Sequence, residues 1–580
     1  MTMGAASQTD AEFEGSPSLS DQSVSGQAAG RGWLVAILFV TALVLAPIGS
    51  LFFIALGPAE GVWHHLATTV LPRAVATTAW LMLGVGILTA LVGVGTAWLV
   101  TMCRFPGRGF FDWALLVPLA VPTYIVAYAY VDILNYTGPV QSALRTIFGF
   151  ETSRDYWFPE IRSLPGAIFV MSMVLYPYVY LTARASFLMQ SACVLDVSRT
   201  LGSGPWRVFL RVALPMARPA IAVGVSLTLM ECLNDIGAVE FFGVKTLTFS
   251  VYDTWLNRGS LPGAAQIACA MLIAVFALLW VERYGRRNQR FHHSSSRYRA
   301  LPGYHLSPYQ AAGAMVACAL PVFLGFIAPS LLLADFASRR LEDLSSPGFL
   351  AAATNSLTLA SIAAIITVSI GVLIAYGQRV RRSPLLQAVA RVAAIGYAVP
   401  GTILAVGILM PLAAFDNMVD GFARETFGFA TGLLLTGSGA ALVYAYSTRF
   451  LAAASGSIEA GLAKVSPHLD MAARTLGRTS LRTLVEVDLP IIRPILLSAA
   501  LLVFVDCMKE LPATILLRPF NFETLSTVVY AAASHEVFED ASLPALAIVL
   551  TGLIPVILLA RTSRSSFRTS SSDRQPRFEG

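Results

Sequence analysis

Lysine is nearly missing from this chain of 580 residues: only Lys245, Lys464 and Lys509 occur, and none follows a glycine. A phosphate-cradling GxxxxGK[ST] loop is thereby excluded, so any ATP hydrolysis coupled to the protein has to take place on another polypeptide. Charge as a whole is scarce. Lys, Arg, Asp and Glu make up 13% of the residues against 56% hydrophobic ones, and mean hydropathy is +0.67, which excludes a string of soluble domains and points to a polytopic membrane protein. The six cysteines (Cys103, Cys193, Cys232, Cys269, Cys318, Cys507) contain no CxxC pair and no metal-ligand spacing, and read as small apolar core residues. The seven histidines form no spaced cluster, and neither an HExxH motif nor a Ser or Cys nucleophile with its base is present, so a metal centre and a membrane-embedded enzyme both lack their residues. A signal-peptide pattern is missing too: residues 1–30 carry Asp10, Glu12, Glu14 and Asp21 among Ser, Gly and Gln, which predicts a disordered tail followed by a retained anchor.

What the chain has instead is apolar runs of about 20 residues, the length that crosses a bilayer. They lie near 33–55, 76–102, 113–134, 164–189, 218–240 and 263–282, then near 309–334, 353–377, 390–413, 428–454, 493–516 and 543–561. The expected fold is therefore an all-α polytopic membrane protein with about 12 transmembrane helices in two sets of six. Arginines concentrate in alternate loops: Arg104 and Arg108, then Arg283 to Arg299, then Arg379, Arg381 and Arg382, then Arg561, Arg564 and Arg568. The positive-inside rule puts those loops, and both termini, in the cytoplasm. It also accounts for the net charge of +6 without a nucleic-acid partner. The polar, basic stretch 286–308 reads as a cytoplasmic linker between a first unit at 31–285 and a second at 309–562, with a basic tail at 563–580.

The chain repeats itself. At a shift of 275, SRTLGSGPWRVFLRVALPMARPAI (198–221) overlies ARTLGRTSLRTLVEVDLPIIRPIL (473–496) with ten of 24 positions identical, among them Gly202/Gly477, Pro215/Pro490 and Pro219/Pro494. At a shift of 278, Val121, Pro122 and Ile125 overlie Val399, Pro400 and Ile403. Six spans per copy is an even number, so both copies share one orientation and both repeated segments face the cytoplasm. In each, the glycine is placed to break one short helix and Ser203 or Thr479 to cap the next. Trp206, Phe209 and Ala213, and in the second copy Leu481, Leu484 and Val485, are predicted to share one face, with Pro215 and Pro490 ending the helix. A short helix with an apolar stripe, present twice, suits a groove on another protein.

These segments, DVSRTLG and MAARTLG followed at fixed distance by Leu-Pro, resemble the EAA loop of ABC importer permeases. Asp196 stands where that family usually has Glu, and Met471 stands there in the second copy with Asp470 one place earlier. AVPTYIVAYAYVDIL (120–134), EFFGVKTLTFSVYDTWLNRGSLPGAAQIA (240–268), GYAVPGTILAVGIL (396–409) and MKELPATILLRPFNFETLSTVVYAAAS (508–534) extend the resemblance to the fused, double-length permeases of ferric-iron ABC importers. It implies a non-enzymatic transport subunit of the bacterial inner membrane, without a cofactor of its own. Two copies of a cytoplasmic ATPase would carry the ATP and Mg, and a periplasmic binding protein would deliver the cargo. The implied ATPase-docking residues are Asp196, Arg199, Gly202, Trp206, Leu214 and Pro215, and Asp470, Ala473, Arg474, Gly477, Leu481, Leu489 and Pro490.

In the span after each Leu-Pro, the 275 shift pairs Glu231 with Asp506 and Asp235 with Glu510, two carboxylates at i and i+4 per copy, expected on one helical face. Carboxylates inside a membrane face a polar cavity or a partner. They are expected either to line a translocation pathway for a hard cation, with Tyr124 and Tyr128 adding phenol oxygens, or to form a structural network with Lys509 and Asn234. Thiamine, a polyamine or an oxyanion are the alternative cargoes. A gradient-driven secondary transporter is the alternative class, although it has no use for two matched docking helices.

Overall fold

The computed structural model describes residues 19–58, 61–190, 198, 200–201, 204–286, 303–380 and 383–568. Among them, nine helices are long and apolar enough to cross a membrane, and ten if one bent pair counts as a single span. The bent pair is the expected span 113–134. Arg108–Ala120 and Thr123–Phe148 meet there at 91°, because the residue before a proline is pushed out of the helical region: Val121 is extended (φ −101°, ψ 124°) and Pro122 opens the next helix. Val399 and Pro400 repeat this corner before Gly401–Phe427. The expected spans 428–454 and 543–561 fall on the helices Ala440–Leu462 and Ser542–Arg568. Neither is among the nine: the first carries Arg449 and Glu459 among its apolar residues, and the apolar part of the second, Ser542–Leu558, is shorter than a span.

Each half is built on the same three-helix core. Leu71–Met102, Leu164–Met189 and Leu214–Asn234 pack on one another in the first half, and Pro347–Val380, Ala440–Leu462 and Leu489–Met508 do so in the second. Without water to drive helices together, close approach at small residues sets the crossing. Gly93 and Gly371, equivalent at the 278 shift, occupy it in both halves: a Cβ on Gly93 would lie 2.8 Å from the backbone nitrogen of Tyr180, and one on Gly371 3.2 Å from that of Ser455. The opening helix of each half crosses to the other. Leu19–Ala55 lies on Pro347–Val380 and Gly401–Phe427 of the second half as well as on Leu261–Arg286 of its own, and Pro308–Arg339 lies on Thr123–Leu134 and Leu164–Met189 of the first half as well as on Ser542–Arg568 of its own. Just ahead of the second half, Tyr304–His305 pairs in parallel with Cys103–Arg104 of the first.

Candidate functional site

The two repeated segments take the same shape. Pro205–Val208 and Ser480–Thr483 are single helical turns, each followed by a π-helical turn, Phe209–Ala213 and Leu484–Asp488, and then by the long helices Leu214–Asn234 and Leu489–Met508. Gly477 adopts φ +81°, a conformation glycine takes at little cost, and Thr479 accepts the backbone N–H of Arg482 to cap the turn that follows. Asp196, Arg199, Gly202 and Ser203 lie outside the described residues. Pro215 and Pro490 do not end the short helices as expected; helix continues through both. The reason is the π turn, whose wider ring accommodates a proline that lacks an N–H and would crowd the carbonyl four residues back.

The predicted apolar faces also split. Trp206 (74% exposed) and Leu210 in the first copy, and Leu481 (61%) and Val485 in the second, project outward at repeat-matched positions. Ala213 and Leu484 turn inward, with Phe209 half-buried between. Leu214, Pro215 and Leu489 are half-buried, and Pro490 and Arg474 exposed. Ala473 is buried, and Asp470 is committed within the chain: Arg379 donates to its two oxygens at 2.7 and 3.1 Å and to the carbonyl of Val465 at 3.1 Å, pinning Pro467–Thr475 to the end of Pro347–Val380.

The four carboxylates do not share helix faces in pairs. The helix carrying Glu231 stops at Asn234, and that carrying Asp506 stops at Met508. Asp235 and Glu510 sit in the breaks because each caps a new short helix. Asp235 Oδ1 accepts the N–H of Ala238 at 2.9 Å, while Glu510 accepts those of Ala513 and Thr514 at 3.0 and 3.1 Å. The breaks nevertheless bring all four into one cavity of about 80 Å³ between the halves, with Tyr124 and Pro122 on its wall. Tyr128 is not there: its hydroxyl donates to the carbonyl of Phe538 and it lines a separate cavity.

The electrostatics of this cavity are lopsided. In the second half Lys509 pairs with Asp506 at 2.9 Å and Arg449 with Glu510 at 2.8 Å. In the first half Asn234 spends its side chain on the N–H of Gly401 (2.7 Å), and among the described residues no cationic nitrogen lies within 4.0 Å of Glu231 or Asp235. Glu231 accepts only the phenol of Tyr397 at 3.3 Å. Oδ2 of Asp235, close to Thr123, and the hydroxyl of Tyr124 are buried without a hydrogen bond of normal geometry. Among the described residues no three His, Cys, Asp or Glu side chains form a metal-binding group. The arrangement can attract and pass a cation without caging one.

Arg449 escaped the sequence reading because its partner lies 61 positions away on another helix. A further contact has a signal in the sequence. At the 278 shift TLTFSVY (246–252) overlies TLSTVVY (524–530), and the equivalent residues Tyr252 and Tyr530 meet between the halves, their hydroxyls 3.2 Å apart. Thr246 and Thr524 cap these two helices, and the first N–H of each is held by another matched pair, Thr78 at 3.0 Å and Ser356 at 2.8 Å.

Residues 89–290 match the family of binding-protein-dependent transport system inner membrane components. Over 541 residues the chain is 24% identical to a Fe(3+)-transport system permease protein of Haemophilus influenzae, a match covering 91% of this chain and 98% of that one. It is 28% identical over 204 residues to a molybdenum transport system permease protein of Escherichia coli and 26% identical over 263 to a sulfate transport system permease protein of the same species. Those matches take in 86% and 91% of the relatives but only 33% and 43% of this chain. The relative matched end to end is thus of similar length, and the others correspond to about one repeat.

Proposed function

Because the chain is a double-length permease of the binding-protein-dependent transport family, we propose that it forms the whole transmembrane pathway of an ABC importer for ferric iron. A periplasmic binding protein delivers the cargo, and two copies of a separate ATPase, which hold ATP and Mg, drive passage. The observation that carries the cargo class is the charge of the cavity between the halves. Four carboxylates face two cations, and among the described residues no cationic nitrogen lies within 4.0 Å of Glu231 or Asp235. In a low-dielectric wall that excess repels a molybdate or sulfate dianion and favours a hard cation. Similarity to the Haemophilus influenzae protein, whose name gives Fe(3+) as what it transports, supports ferric iron as that cation.

The two outward apolar pairs, Trp206/Leu210 and Leu481/Val485, are the contacts for one ATPase each. Their identical spacing lets a symmetric ATPase pair move both halves at once, so that the passage opens alternately to either side. The first repeat unit spans 31–285 and the second 309–562, with both termini in the cytoplasm, the side on which the arginine-rich loops and the docking segments lie. Uptake of labelled ferric iron into cells with and without this chain, competed with molybdate, sulfate, thiamine and a polyamine, tests the reading. Iron uptake that needs the chain and resists the competitors is expected; uptake of one of the others in its place refutes the cargo assignment.

A further inference from the structure

A second cavity, of about 150 Å³, shares bordering elements with the first. The same two helices border both: Thr123–Leu134 carries Tyr124 into the carboxylate cavity and Tyr128 into the second, while Asp235 and Glu240 stand at either end of Ile236–Phe241. The second cavity lies on the side away from the docking segments, since Leu214–Asn234 runs from those segments to the carboxylates and these elements follow it. Between the halves at this level stands a chain of three side chains. The Tyr530 hydroxyl donates to Glu240 at 2.6 Å, and the Tyr252 hydroxyl lies 3.2 Å from it. A phenol has one proton, and that of Tyr530 goes to the carboxylate, so Tyr252 supplies the proton between the two rings. Glu240 and Tyr252 belong to the first half and Tyr530 to the second, so two hydrogen bonds tie the halves together where matched elements meet.

We propose that Tyr252, Tyr530 and Glu240 are a latch that closes the passage on the side away from the ATPase-docking segments. Several features fit that role. Tyr530 is buried (8% exposed), with its ring centroid 6.2 Å from that of Phe241, so the latch is also an apolar plug. The helices carrying the two tyrosines are each held at their first turn by a hydroxyl from their own half, Thr78 or Ser356, so each half moves them as a body. Separation of the halves then breaks the latch together with the Tyr128–Phe538 hydrogen bond and the Arg162–Glu536 pair beside the same cavity. Glu240 lines the second cavity, so a cation entering there takes the carboxylate and leaves Tyr530 without its acceptor. Cargo arrival and opening are thereby linked through one side chain.

The inference rests on the passage running between the halves but not on the identity of the cargo, and the test needs no iron. Thr123, on the wall of the carboxylate cavity, is replaced by Cys in a chain whose own cysteines are serine or alanine, assembled with its ATPase in lipid vesicles. Labelling by a membrane-impermeant methanethiosulfonate added opposite the docking segments is timed without nucleotide. Slow labelling is expected in this background; Tyr252→Phe and Glu240→Ala, which each remove one hydrogen bond, should speed it about tenfold, and Tyr530→Phe, which removes both, should speed it further. Arg162→Gln, which breaks the exposed Arg162–Glu536 pair beside the same cavity, should leave it slow. Unchanged labelling in the three latch variants, or equal acceleration by Arg162→Gln, overturns the proposal. Both phenylalanine variants remove a single oxygen, so the chain's fold is preserved.

Discussion

Arg449 and Glu510 face each other at 2.8 Å with side chains 8% and 1% exposed, and neither has water to fall back on. Removing one partner of such a pair strands a buried charge, at a cost of about 3–5 kcal/mol, while removing both costs much less. Arg449→Met should therefore lower the thermal unfolding temperature of the purified protein sharply, and the double variant Arg449→Met with Glu510→Gln should recover most of the loss. Gly401 tests the same pair from outside. A Cβ there would lie 2.7 Å from Oε1 of Glu510 and 2.9 Å from Nη1 of Arg449, so Gly401→Ala should destabilise in the manner of Arg449→Met. Glu231 and Asp235 behave differently because, among the described residues, neither forms an ion pair within 4.0 Å: Glu231→Gln with Asp235→Asn should leave thermal stability nearly intact and reduce uptake at least tenfold.

At the scale of elements, the repeated segments show what a sequence can disclose. Gly477 and Thr479 disclosed the break and the cap of the second segment, since a glycine break and a hydroxyl cap act through the local backbone; the prolines misled, because the π turn before each carries the helix through. Which apolar residues face outward was not legible. Phe209 and Leu484 fit the same helical stripe as Trp206 and Leu481, and the π turn that rotates them inward shows no pattern in the residues themselves. Docking should follow the observed faces. Leu481→Asp and Trp206→Asp should each abolish co-purification of one ATPase copy without loss of the folded chain, whereas Phe209→Leu should retain both copies. Thr479→Ala should weaken the second segment by about 1 kcal/mol, the worth of an N-cap, read as faster proteolysis there.

For the molecule as a whole, hydropathy and the repeat were enough to set an all-α membrane protein of two similar halves. They could not set how the halves interlock, because the crossing of Leu19–Ala55 and Pro308–Arg339 onto opposite cores is a matter of packing between distant segments. The carboxylates were legible as repeat pairs but not as cap residues in broken helices, and their imbalance of charge depends on Arg449, which one-dimensional pairing could not reach. That imbalance is the central claim about what passes. The most direct measurement is ATP-driven uptake into proteoliposomes containing the chain with its ATPase and binding protein, comparing labelled ferric iron with labelled molybdate in the parent and in the Glu231→Gln, Asp235→Asn variant. Iron uptake by the parent that falls at least tenfold in the variant, with no molybdate uptake by either, is the predicted result. Molybdate uptake by the parent, or iron uptake indifferent to both substitutions, would contradict it.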